Sequence, residues 1–571
     1  MTDLRFSLPD RLDAQVNASL AKSERDHLIA RVWRGDASVW TGADEARWLG
    51  WLRIVQDQLA KADEQERLAD EIASEHLTRA LLLGMGGSSL AAEVIARTFG
   101  QQGTHPVLQI LDSTDPAQIR AAEGGALAST LIIVASKSGS TLEPNILKEY
   151  FFERVRQLAG DGAGRRFVAI TDRGSQLEQV AVRDRFRRVL AGDPAIGGRF
   201  SALSSFGMGP ASIAGVDTRR LLRGAAEMVQ RCGPDQPVRE NPGAVLGTIL
   251  GEAARDGRDK ATLFVSPDIA ALGAWLEQLL AESTGKNGNA IIPIVGESPA
   301  PVESYGADRV FVYVRLRLAP DAAQDRAVDA LEGAGQPVVR VDVADRYELG
   351  AEFFRWELAT AVAAAILQVN PFDQPDVESA KEVTRRLAAG YESTGRLRQE
   401  VPLFRDAAVS VFTDDRNGAE LKHATRNHQS LGSWLGAHFA RLKPADYAAV
   451  LAYVHMSAAH EAVLQRIRHR IRDQKAVATS LGFGPRYLHS TGQAYKGGPN
   501  TGVFLMITAD DAHDLQVPGQ RYTFGVIKRA QACGDFEVLT ARGRRALRVH
   551  LGADVEAGLD ILERAVTEAL S

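Results

Sequence analysis

Residues 80–100, ALLLGMGGSSLAAEVIARTFG, and residues 130–144, TLIIVASKSGSTLEP, decide the fold. Each opens with a short apolar run, breaks at a glycine-bearing polar turn and continues with helical spacing, as a strand entering a helix does. VLQIL (107–111) and FVAI (167–170) are further strand-like runs, with DPAQIRAAEGG and EPNILKEYFFERVRQLAG in between. Strand alternating with helix predicts a parallel sheet covered on both faces. The alternation lasts to about residue 230, where CGPDQPVRENPG marks a boundary. It resumes in TLFV (262–265), AIIPIV (290–295), VFVYV (310–314) and VVRVDV (338–343).

The expected class is therefore α/β, with two tandem doubly wound parallel-sheet sandwiches. Residues 1–77 form an N-terminal helical segment on this reading, since Leu28, Ile29, Val32 and Trp33, then Trp48, Leu49, Trp51 and Leu52, recur at helical spacing. The two sandwiches occupy 78–232 and 233–400. Residues 401–571 form a smaller C-terminal α/β extension, with helices around 443–475 and a strand at VFLMIT (503–508).

The 571 residues carry 67 Lys and Arg against 72 Asp and Glu, a net charge of −5. That balance predicts neither a nucleic-acid partner nor a membrane surface. The only cysteines, Cys232 and Cys533, give no disulfide framework and no zinc spacing. The N-terminus lacks a basic region followed by an apolar one, and the longest apolar stretch, 356–369, contains Glu357 and is too short to span a bilayer. A cytoplasmic location is the expectation. The pairs His423/His428 and His455/His460 are spaced by five, unlike the i, i+4 pairs of helical zinc sites, so no metal is expected.

Two turns carry chemistry. Gly84-Met85-Gly86-Gly87-Ser88-Ser89 lets backbone N–H groups approach an anion at a helix start. A dinucleotide fold is a rival reading, with Asp112 as a ribose-binding acid, but Ser89 stands where GxGxxG has its third glycine. Ser136-Lys137-Ser138-Gly139-Ser140-Thr141 crowds hydroxyls and an ammonium at a strand end, a phosphate cradle without the Walker pattern.

These two motifs together resemble the sugar isomerase fold, which binds phosphosugars. Three more segments resemble the phosphoglucose isomerase family in particular, in the family's order: Gly197-Gly198-Arg199-Phe200-Ser201, Glu282-Ser283-Thr284-Gly285-Lys286, and Phe372-Asp373-Gln374 through Glu378 and Lys381. The resemblance covers roughly residues 78–390. It implies interconversion of D-glucose 6-phosphate and D-fructose 6-phosphate through ring opening and a cis-enediolate, without a cofactor, in a homodimer. By resemblance Glu282 is the proton-transferring base and Arg199 meets the enediolate charge, while Gly87, Ser88, Ser136, Lys137, Ser138, Ser140, Thr141, Gly198 and Gln374 bind substrate. Lys381 stands at its family position as a proton donor. A carboxylate suits the transfer when partial burial holds its pKa near working pH.

One departure matters. Where the family places a ring-opening histidine, Gly350-Ala351-Glu352-Phe353-Phe354 places Glu352. A donor is then needed elsewhere, and His489, in the polar tail loop Arg486–Gly498, has the right unperturbed pKa; Lys381 or Lys496 assists it on this reading. Glu352 or the tail loop is expected near a subunit interface. The tail is similar to the isomerase portion of bacterial bifunctional transaldolase/phosphoglucose isomerases, but 77 residues cannot hold a (β/α)₈ unit of about 250, so transaldolase activity is not expected. The alternatives are an isomerase of dual glucose and mannose 6-phosphate specificity, and a non-catalytic phosphosugar sensor. A dehydrogenase ranks last because it leaves the cradle, Glu282 and Arg199 unexplained.

Overall fold

The alternation of apolar runs and polar turns builds three sheets in the computed structural model, which describes residues 3–125, 127–397, 400–425 and 430–571. The first strand, β1 (Asp3–Ser7), belongs to the second sheet. The first sheet contains β2 (Arg79–Leu83), β3 (Val107–Leu111), β4 (Thr130–Ala135), β5 (Phe167–Thr171) and β6 (Arg188–Ala191), all parallel, in the order β3-β2-β4-β5-β6. Successive residues serve opposite faces. Leu81, Leu83, Ile132 and Val134 enter one apolar core, and Ala80, Leu82, Leu131 and Ile133 enter the other. Burial on both sides explains why these strands read as unbroken apolar runs.

The second sheet comprises β7 (Lys260–Val265), β8 (Ile292–Val295), β9 (Arg309–Leu316) and β10 (Val338–Val343) in parallel, with β1 antiparallel on β10. Its order is β1-β10-β9-β7-β8. Strand β1 departs from the helical expectation for residues 1–77. Phe6 pairs with Val339 at the sheet's edge, a long-range contact that helical spacing in the following residues does not signal.

The third sheet is larger than expected for an extension. It has six strands, β11 (Phe404–Arg405), β12 (Val409–Phe412), β13 (Tyr447–Tyr453), β14 (Ala478–Phe483), β15 (Gly502–Ala509) and β16 (Arg545–Leu551), ordered β11-β12-β16-β15-β13-β14. Strand β13 lies inside the stretch expected to be helical. Its run YAAVLAY is apolar at every position, and periodicity alone does not separate a buried strand from a buried helix. The alternation appears only in space: Ala448, Val450 and Ala452 face one core, Tyr447, Leu451 and Tyr453 the other.

The helix Leu349–Leu367 runs through the largest core and is buried nearly throughout. The N-terminal tryptophans pack around it. Trp40 donates from Nε1 to Ala361 O at 2.8 Å, and the Trp51 ring lies 5.7 Å from Phe354 and 5.3 Å from Phe200. Two carboxylates are caught in this helix. Glu352 lies 3.4 Å from Arg355 Nη2. Neither oxygen of Glu357 has a hydrogen-bond partner among the described residues, and burial pushes its carboxyl well above the usual range.

A carboxyl that ionises in the unfolded chain but resists ionisation when folded lowers stability as pH rises above its ordinary value of 4.5. Glu357→Met is therefore expected to stabilise the protein near neutral pH by about 1–3 kcal/mol, the cost of an unpartnered buried polar group. The advantage should shrink as pH falls towards that ordinary value. Thermal unfolding across the pH range checks this; a pH-independent difference, or a destabilised variant, contradicts it.

Candidate active site

In the first sheet the strand order reverses between β2 and β4, and crevices at the carboxyl ends of such strands are where open α/β sheets hold ligands. Both glycine-bearing turns emerge there. The first lies backbone to backbone on the segment 197–200: a Cβ on Gly87 would come within 2.1 Å of the Gly198 carbonyl. In the second, the Ser136 hydroxyl is buried beneath its own loop and accepts from Gly139 N at 3.2 Å. Ser138 and Ser140 share a hydroxyl contact at 2.7 Å, and Lys137 Nζ donates to Asp172 Oδ2 at 2.6 Å.

Between these turns and the helix Pro375–Thr394 lies a cavity of about 520 Å³. Ser88, Lys137, Ser138, Ser140 and Thr141 line one side, Gln374 and Lys381 another, and His489 closes it from the tail. Lys381 is partly exposed and donates to Glu378 Oε1 at 2.7 Å.

Arg199 and Glu282 sit one layer behind this wall, 3.2 Å apart. The Arg199 guanidinium is buried and fully engaged. It donates from Nε to Ser283 Oγ at 2.9 Å, from Nη2 to Pro371 O and Asp373 O at 2.7 Å each, and from Nη1 to Gln374 Oε1 at 2.9 Å. Gln278, one turn before Glu282, donates from Nε2 to Glu282 Oε2 at 2.9 Å and to the His489 carbonyl at 2.7 Å. Lys286 lies 2.9 Å from Asp373 Oδ1; burial and the neighbouring Arg199 push its ammonium down to about 7.

The tail enters as a wedge. His489 Nε2 lies 3.0 Å from Glu143 Oε1, and the same oxygen accepts from Gln531 Nε2 at 2.7 Å. Gln531 in turn accepts from Thr114 Oγ1 at 2.7 Å. Burial acts to raise the Glu143 carboxyl, but the imidazole of His489 outweighs it and the net shift is downward. Asp112 is shut in by Arg486, which donates to it from Nη1 at 2.9 Å. Burial lifts the Asp112 carboxyl to about 6 against the pull of that guanidinium. Tied down in this way, Asp112 is not the open ribose-binding acid of the dinucleotide reading.

Most of the sequence-derived candidates thus gather around one cavity or directly behind it, with three corrections. Ser136 shapes the cradle from below rather than lining it. Glu352 does not reach the cavity: it is 0% exposed inside the helix Leu349–Leu367, so it neither faces substrate nor lies at an accessible interface. Lys496 also serves elsewhere, paired with Asp535 at 2.5 Å. Glu143 and Gln531 were missed. Glu143 had a signal, an acid in the first turn of the helix after the cradle; Gln531, in the middle of the helix Phe524–Ala541, had none. His428 lies outside the described residues, among which no cluster of three or more His, Cys, Asp or Glu could hold a metal ion.

A profile of the family described as Phosphoglucose isomerase matches residues 55–298. A glucose-6-phosphate isomerase from Rubrobacter xylanophilus is 30% identical over 438 residues, covering 67% of this chain and 98% of that protein. Another from Synechococcus elongatus is 26% identical over 464 residues, covering 69% and 85% respectively. A crystal structure of a glucose-6-phosphate isomerase from Chlamydia trachomatis superposes with a TM-score of 0.52 at 20% identity, over 69% of this chain and 89% of that one, a likeness of fold.

Proposed function

Because the chain belongs to the phosphoglucose isomerase family and interconverts D-glucose 6-phosphate and D-fructose 6-phosphate, we propose that the crevice above β2 and β4 is its active centre, with Glu282 as the base. The observation that carries this assignment is the Arg199–Glu282 pair at 3.2 Å, directly behind the cavity wall that holds the cradle.

The phosphate sits among Ser138, Ser140 and Thr141, whose hydroxyls are directional donors, with Lys137 adding charge. This leaves the sugar carbons towards Glu282, which moves the proton between C2 and C1. Charge then develops on the enediolate oxygens and must meet preorganised donors. Arg199 spends its hydrogen bonds on the protein, so it acts through its field and through Gln374. By donating to Gln374 Oε1 it turns the Gln374 amide N–H₂ outward as a polarised donor.

Ring opening falls to His489. Glu143 takes Nε2 and leaves Nδ1 for the ring oxygen, while Lys381, on the same cavity wall, assists. Homodimerisation and a cytoplasmic location belong to the same reading. The net charge of −5 poses no barrier to self-association, and among the described residues no helix is long and apolar enough to cross a membrane. Sedimentation of the active enzyme tests the dimer; a fully active monomer refutes it.

Glu282→Gln preserves shape and removes the base. Its kcat should fall by about 10²–10⁴, with KM little changed and with solvent exchange of the C2 proton lost in step. Near-normal turnover would refute the assignment. His489→Ala should slow the ring-closed substrate while sparing proton transfer on an acyclic sugar phosphate, and Glu143→Gln should act in the same direction. Equal effects on both substrates would assign His489 to another step.

A further inference from the structure

The third sheet repeats the strand order of the first. Read from the second strand of each unit, β14-β13-β15-β16 matches β3-β2-β4-β5. In the first sheet the crevice at the reversal point holds the cradle. Beside that point in the third, over the ends of β15 and β16 and next to Tyr453 at the end of β13, lies a separate cavity of about 630 Å³, larger than the active-site cavity of about 520 Å³. The helix Phe524–Ala541 and the segment 400–410 form its other walls. None of the residues lining this cavity lines the active-site cavity.

The hydrogen bonding of the lining says what the cavity accepts. Two of its three carboxylates, Glu400 and Asp406, are held by the protein. Glu400 Oε2 accepts from Arg548 Nη2 at 2.6 Å, and Asp406 Oδ1 accepts from the N–H groups of Ala408 and Val409 at 2.8 Å each. Asp510 lies 3.3 Å from His550 Nε2. Donors, in contrast, are left over. The guanidinium of Arg529, exposed on the wall, makes no hydrogen bond among the described residues. Among the described residues Arg405 donates through Nε alone, to Ser410 Oγ at 3.1 Å, which leaves both terminal nitrogens. Arg548 is buried with its Nε unpartnered, its guanidinium 4.5 Å from the Phe412 ring centroid. Lys528 is committed to Asp115 and Asp511.

A cavity of metabolite size in which the terminal guanidinium nitrogens of Arg405 and Arg529 are unspent, while Glu400 and Asp406 are already bonded to the protein, suits an oxyanion, because the planar fork matches phosphate and carboxylate geometry. We propose that this crevice is a second ligand site, distinct from the active centre, for a small metabolite bearing a phosphate ester or several carboxylates.

The test is equilibrium dialysis of the full chain against labelled inorganic phosphate and, separately, labelled citrate. The variant Ser138→Ala/Thr141→Ala removes cradle hydroxyls, so binding that persists in it reports the second site. Adding Arg405→Glu and Arg529→Glu, both at exposed positions and with retention of the fold checked by circular dichroism, should weaken that residual binding by at least about tenfold, the equivalent of one charge-assisted hydrogen bond. The two arginine replacements alone should leave isomerase kcat and KM unchanged. Persistence of phosphate binding alone identifies a phosphate ester, and of citrate binding alone a polycarboxylate. Binding of neither probe once the cradle is disabled, or residual binding indifferent to the arginine replacements, overturns the proposal.

Discussion

A guanidinium withdrawn from water must be met by carboxylate and carbonyl oxygens from the protein, because an uncompensated buried charge is costly. Arg199 is such a group, and meeting its needs assembles the site. Its partners come from two separate segments: Glu282 and Ser283 at the end of one helix, and Pro371, Asp373 and Gln374 in the turn before another. The loop that carries Arg199 is fixed in turn. Gly198 lies against Gly87, and Phe200 packs between Trp51 and Phe372 at 5.3 and 5.0 Å. The N-terminal tryptophans therefore act on chemistry they never touch, by holding the loop and the turn that the arginine joins.

The tail is bound to this assembly by polar contacts that are as buried as the core. Gln493 is 0% exposed and bridges the two segments that Arg199 joins. Its Nε2 donates to Gly285 O at 2.9 Å and to Asp376 Oδ2 at 2.6 Å, and its Oε1 accepts from Asp376 N at 3.0 Å. One amide thus pins the end of the Glu282 helix to the start of the helix bearing Lys381. Lys528 joins Asp115 of the first unit at 2.9 Å, and Arg486 joins Asp112. Buried pairs of this kind add little net stability, but each fails badly if one partner is displaced. They favour a single docking geometry over sliding alternatives, which suits a unit that delivers His489 to the cavity.

Much of this was legible along the chain. Apolar runs of four to six residues marked most strands of the first two sheets, because strands buried on both faces leave a signal that survives without an alignment. The cradle was legible in the hydroxyls and ammonium crowded at a strand end, whereas Glu282, Arg199 and Gln374 stood out only through the resemblance of their segments to the phosphoglucose isomerase family. The strands β1, β6 and β12 escaped because pairing at or near a sheet edge is long-range or rests on few apolar positions. Strand β13 escaped because every position in it is apolar, so the period that identifies a strand exists only once its two faces have different neighbours.

The sequence by itself determined the α/β class, the two loops at the strand ends and the residue types available for proton transfer, since these depend on local spacing and on side-chain chemistry. Only the tertiary structure decided which ionisable groups meet. It sealed Glu352 inside an apolar helix, where it faces Arg355 rather than a substrate. It set His489 against Glu143, 346 residues away in the chain, and placed Gln531 beside the same carboxylate. The physical reason is that burial and the pairing of charges are properties of position in space. A glutamate reads the same in sequence whether it is a base at a cavity, the anchor of an imidazole or a solitary carboxyl in the core.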